Sequence, residues 1–102
     1  MYASVTRTTG TNESMAELAV MAGETMVEWL RQIDGFEGML ILTDETTGTT
    51  RVIALWESRE VAERHREARM RLRDRVTATV DAHVEETAGY DVPFAWLPPE
   101  RS

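Results

Sequence analysis

Cysteine and lysine are both missing from this 102-residue chain. Without cysteine there is no disulfide framework, no thiolate metal site and no cysteine nucleophile. Without lysine there is no Schiff-base chemistry, and every basic side chain is an arginine. Histidine is scarce as well: His65 and His83 stand apart, with no metal-ligand spacing around them, so no metal and no cofactor motif is expected. No apolar stretch approaches the ~20 residues of a membrane span, and no signal-like segment follows Met1. A cytoplasmic protein without membrane association is the expectation. Basic charge is outnumbered, 11 arginines against 18 acidic residues for a formal charge of −7. That balance argues against a nucleic-acid partner.

What the chain does have is two neighbouring apolar runs, Met39-Leu40-Ile41-Leu42 and Val52-Ile53-Ala54-Leu55-Trp56. Side chains of a strand alternate between its faces, so an unbroken apolar run means that both faces are dry. Around these runs the rest of the order can be read. Tyr2 to Thr8 is rich in β-branched residues and stops at Gly10, a first strand. Thr11 or Asn12 then caps a helix whose stripe is Met15, Leu18, Ala19, Ala22, Met26, Leu30 and Ile33, halted at Asp34-Gly35. Strands over Phe36 to Thr43 and Thr50 to Glu57 form a hairpin through Asp44 to Gly48. Ser58 occupies an N-cap position, Glu60 lies in the first turn, and Val61, His65, Ala68, Leu72 and Val76 trace one face of a second helix. Val80 to Val92 is expected to be a last strand, broken near Gly89.

The order is βαββαβ, an α+β ferredoxin-like domain over residues 1–92 followed by a tail, 93–102. Right-handed crossovers put both helices on one face of a four-stranded antiparallel sheet and leave the other face bare. Each Leu or Ile kept in water there forgoes about 1.5–3 kcal/mol, which favours sheet-on-sheet pairing of two copies. A homodimer is therefore expected. The tail prolines end any strand, while Phe94, Trp96 and Leu97 suit either a free end or an arm docked on the partner or the cavity.

The βαββαβ order, with Asp34-Gly35-Phe36-Glu37-Gly38 before the second strand and Leu55-Trp56-Glu57-Ser58 leading into the second helix, resembles the antibiotic-biosynthesis-monooxygenase-like family of dimeric α+β barrels. The likeness runs from about Tyr2 to Val92. It implies two sheets closing into a barrel at the dimer interface and a ligand cavity in each monomer between sheet and helices. The activities it implies include cofactor-independent oxygenation of polycyclic aromatic compounds, quinone-related oxidation, and haem binding and degradation. The pattern of the haem degraders is missing: the first strand offers Ser4 and Thr6 in place of asparagine, His65 stands where a tryptophan belongs, and the later histidine position falls near Arg75.

Several side chains are candidates for such a cavity. His65, on the inward stripe, is placed either as a general base toward a phenol or enol or as a core histidine held by one hydrogen bond. Arg69, one turn on, either holds a substrate oxygen or snorkels at the rim. Ser4, Thr6 and Thr8 share one face of a strand that this topology makes central, so their hydroxyls line a cavity or bond within the sheet. Trp29, Phe36 and Trp56 are available to stack on a planar ligand or to fill the core, with Met26 and Leu72 as adaptable apolar walls. Met15, Met21 and Met39 add soft volume. Between Arg59 and Arg75 seven arginines face four acidic residues; Glu60 with Arg64 and Glu67 with Arg71 are spaced as helix pairs, and the acids Glu17, Glu24 and Glu28 of the first helix are set to face this basic edge. The expected function is binding of a small, largely apolar, aromatic molecule with cofactor-independent monooxygenase chemistry, His65 as base and Arg69 or the hydroxyls on the oxyanion. The alternative is a non-catalytic ligand-binding or stress-associated structural dimer.

Overall fold

A computed structural model describes residues 1–98; the end of the tail, Pro99 to Ser102, lies outside the described residues. Strand β1 (Tyr2–Thr9) leads to helix α1 (Asn12–Met21), a π-helical turn (Ala22–Met26) and α2 (Val27–Leu30). The hairpin β2 (Phe36–Asp44) and β3 (Thr49–Trp56) follows, then α3 (Arg59–Arg64), α4 (Arg66–Thr79) and β4 (His83–Asp91). The sheet runs β2-β3-β1-β4, antiparallel throughout, which is the expected α+β ferredoxin-like fold with β1 and β3 in the middle.

Local chemistry sets the boundaries. Thr11 caps α1, its Oγ1 accepting the Ser14 N–H at 3.1 Å, and Ser58 caps α3, its Oγ accepting the Val61 N–H at 3.2 Å. Each expected helix comes in pieces. In the first, the buried residues Leu18, Ala22, Met26 and Leu30 step by four. Four-residue steps overshoot the ~3.6-residue turn and drift around the axis. The π-helical turn, where the Val27 N–H reaches back five residues to the Ala22 carbonyl, takes up the drift. In the second, the path breaks at His65 (φ −107°, ψ 14°). Gly35, at φ +94°, makes the reversal between α2 and β2 that a side chain would strain, and its carbonyl accepts the Glu57 N–H at 2.7 Å.

The last strand differs from expectation. Val80 closes α4, its N–H on the Val76 carbonyl, and within the last turns the Thr77 and Thr79 hydroxyls bond back to the Arg73 and Arg75 carbonyls. Asp81, at φ +56°, turns the chain into β4. Gly89 stays in the ladder, opposite Ser4; the irregularity lies instead between the Arg7–Glu86 and Thr8–Val84 pairs. A Cβ at Gly89 would collide with the Tyr2 hydroxyl, so the glycine makes room for that ring.

The core lies between sheet and helices. Trp56 is fully buried, with the Phe36 ring edge-on at 5.5 Å, and Leu18, Leu30, Leu72 and Val76 close over it. The opposite face of the sheet carries Val5, Leu40, Leu42, Ile53, Leu55 and Tyr90, of which Leu40, Leu42 and Tyr90 are 50%, 49% and 54% exposed. Beyond β4 the Phe94 and Trp96 side chains stand in solvent. The Glu60–Arg64 and Glu67–Arg71 pairs form, at 3.2 Å each. The acids of the first helix do not meet the arginines of the second among the described ion pairs; Glu28 turns to Arg31 at 3.3 Å.

Candidate functional site

Alternation along the two central strands decides what faces the helices. On β1 these are Ser4, Thr6 and Thr8; on β3 their direct neighbours are Ala54, Val52 and Thr50. Small side chains in the middle of the sheet leave a hollow beneath the helices, with about 60 Å³ open to water centres. That is room for about two waters. Leu18, Met26 and Leu30 form one wall, Met39 and Val52 another, and α4 contributes Arg69, Leu72, Arg73, Val76 and Thr77.

Arg69 is the anchor of the hollow. Its Nε and Nη2 donate to the Ala62 carbonyl at 3.2 and 2.7 Å, reaching back across the break at His65. Its guanidinium carbon lies 5.1 Å from the Trp56 ring centroid, a cation–π stack. The Trp56 Nε1–H in turn donates to Ser4 Oγ at 3.2 Å. Burial pulls the Arg69 pKa below its ordinary value; Glu63 and Tyr2 act against this and Arg66 acts with it. An arginine starts so high that it remains a cation. Arg73 crosses from α4 to β4, its Nη1 on Thr87 Oγ1 at 3.0 Å and its Nε and Nη2 on Asp74 Oδ1 at 3.0 and 2.8 Å. Ser4 and Arg69 also border a second hollow of about 80 Å³ between α4 and β4, so they form the partition between the two spaces. The buried hydroxyl of Thr50, Oγ1, has no hydrogen-bond partner among the described residues.

Of the residues expected from sequence, Ser4, Thr6, Met26, Arg69 and Leu72 come together in the hollow. Trp56 lies one layer behind, giving its face to Arg69, and Phe36 packs on Trp56. Trp29 packs half-buried against the core. His65 sits at the break between α3 and α4 and is not among the lining residues. Sequence reasoning missed Arg73, although its position one turn after Arg69 on the same helix was a usable signal. No protein-family model matches the chain, and no curated protein matches it in sequence.

Solved structures do match. A monooxygenase from the gene ActVA-Orf6 of Streptomyces coelicolor, in complex with nanaomycin D, superposes with a TM-score of 0.73 at 19% identity, over 96% of this chain and 91% of that one. SnoaB, a cofactor-independent oxygenase from Streptomyces nogalater, gives 0.66 at 15% identity, over 92% and 94%. An antibiotic biosynthesis monooxygenase gives 0.58 at 20%, over 96% and 100%. At such identities the likeness is one of fold, and the chain has the fold of the antibiotic biosynthesis monooxygenases.

Proposed function

We propose that the hollow between sheet and helices binds a small, planar, largely apolar molecule and promotes its reaction with O2 without a cofactor. The observation that carries this is the set of polar groups, Arg69 with the Ser4 and Thr6 hydroxyls, facing apolar walls made by Leu18, Met26, Leu30, Met39, Val52 and Leu72. One structural neighbour holds nanaomycin D and another is a cofactor-independent oxygenase, which supports the same reading. A ring-sized ligand needs more space than the hollow offers; Met26 and Met39, both long and flexible, are lining side chains that can swing to provide it.

In this scheme the CH2 carbon of an anthrone-like substrate has lost one proton to solvent, the carbanion gives an electron to O2, and the two radicals join in a C–O bond. The resulting peroxide takes a proton, its O–O bond breaks with loss of water, and the carbon ends as a ketone, so that a CH2 group and O2 yield C=O and H2O. Arg69 and the hydroxyls hold the oxyanion, and the apolar walls keep water away. His65, outside the lining, has no part in it. Oxygen uptake with anthrone in the presence of a chelator is the test. Uptake is expected, reduced about 100-fold in Arg69→Met and unchanged in His65→Ala. Binding without uptake leaves a ligand-binding protein; absence of both removes the proposal.

We also propose that two copies pair through the outer face of the sheet. Its half-exposed leucines and Tyr90 are apolar, and Arg7, Arg51 and Glu86 among them offer both signs of charge, as a self-complementary two-fold interface needs. Sedimentation at micromolar concentration is expected to show a dimer, and a monomer would count against it.

A further inference from the structure

Of the arginines of the second helical stretch, Arg59 and Arg75 have no carboxylate partner among the described ion pairs but are exposed, and water solvates them. Arg64, Arg66, Arg71 and Arg73 each have a carboxylate oxygen within 3.6 Å, from Glu60, Glu63, Glu67 and Asp74 in turn. Arg69, half-buried over Trp56, has no carboxylate partner among the described residues. It holds one carbonyl and one ring face, and its Nη1 donates to no protein acceptor among the described residues. A guanidinium withdrawn from water lacks solvation that a neutral carbonyl and an indole restore only in part; a counterion supplies the rest. The cavity has space for one beside it, and its ionisable lining residues are Arg69 and Arg73, both cationic. No carboxylate and no imidazole among the described residues lines it, so nothing there is suited to take a proton from a bound acid at neutral pH.

We infer that the ligand of this cavity is an organic acid that arrives already ionised, a planar apolar body whose carboxylate or enolate serves as the counterion of Arg69. This rests on the ligand-binding reading above and names the class of molecule that the site takes. Ionisation is then a property of the ligand and not of a protein base, and the positive charge of Arg69 selects the anion over its neutral analogue.

The surroundings of Arg69 make the pH dependence a clean discriminator. The groups that face it are Tyr2 on β1, Glu63 on α3, Arg66 and Arg73 on α4, with Asp74 on Arg73 and His65 at the break. Protonating Glu63, Asp74 or His65 as pH falls makes the neighbourhood more positive and would tighten anion binding. Loss of binding on acidification therefore belongs to the ligand.

The test is calorimetric titration of the intact chain with 2-naphthoate, 2-hydroxy-1,4-naphthoquinone and the neutral 2-methyl-1,4-naphthoquinone. At neutral pH at least one of the two anions is expected to bind about ten-fold or more tighter than the neutral quinone; which one does so separates carboxylate from enolate recognition. The preference falls to within about two-fold in Arg69→Gln and is retained in Arg69→Lys. On acidification the affinity for the anions falls while that for the neutral quinone does not. Equal affinity for the neutral quinone and both anions, or affinity that rises on acidification, overturns the inference while leaving the binding site standing. Failure of all three to bind overturns the inference and the binding reading together. The comparison of probes on the unaltered chain decides the matter even where Arg69→Gln does not fold.

Discussion

The two faces of the sheet invert the usual arrangement. The face covered by helices bears hydroxyls along its centre, Ser4, Thr6, Thr8 and Thr50, whereas the uncovered face bears Val5, Leu40, Leu42, Ile53 and Leu55. A monomer that kept only its own stability in view would do the reverse. The covered side gives up packing to keep a hollow with polar groups in it, and the open side keeps apolar area that only another surface can bury. The proposed ligand site thus occupies the side that looks like core, and the proposed pairing surface the side that looks like surface.

This contrast can be broken by experiment, starting with its largest expected effect. Trp56→Ala removes the side chain on which the covered face is organised, with the Phe36 contact, the Arg69 stack and the Ser4 hydrogen bond. A loss of about 3–5 kcal/mol in urea unfolding is expected, and a loss under ~1 kcal/mol would show that the indole is not the centre of that layer. Leu42→Lys acts on the other face. It is expected to weaken self-association by about 2 kcal/mol or more in sedimentation, while the unfolding free energy of the monomer at high dilution moves by less than ~0.5 kcal/mol. Similar losses in both measurements would erase the distinction between the faces. Thr50→Val is the finest probe. Replacing a buried hydroxyl that has no partner by a methyl group is expected to stabilise the fold by up to about 1 kcal/mol. Destabilisation would mean that the hydroxyl serves the hollow through water.

The strand order was legible because alternation and turn residues are local signals, and so were the caps at Thr11 and Ser58 and the pairs at four-residue spacing. The interruptions were not. His65 keeps the three- and four-residue spacing of its neighbours, so the stripe runs through it in sequence even though the backbone turns aside there. Val80 belongs to a run of Thr and Val that suits a strand, and only the back-bonds of Thr77 and Thr79 to the helix reveal where it lies. In the site, composition pointed to Ser4, Thr6 and Arg69, while the partners that fix Arg69, a carbonyl seven residues earlier and the indole at the end of β3, are products of tertiary packing.

The wide turn at Ala22–Met26 has a consequence for how this chain can vary. Deleting a single residue from it, for example Gly23, would turn the bulge back into an ordinary α-helix, and Leu30 would then follow Leu18 by about three full turns, on the same line as now. The same loss in a regular stretch of helix would rotate everything beyond it by about 100° and take the wall of the hollow apart. Ala22–Met26 is therefore a place where descendants of this sequence can change length without rebuilding the cavity.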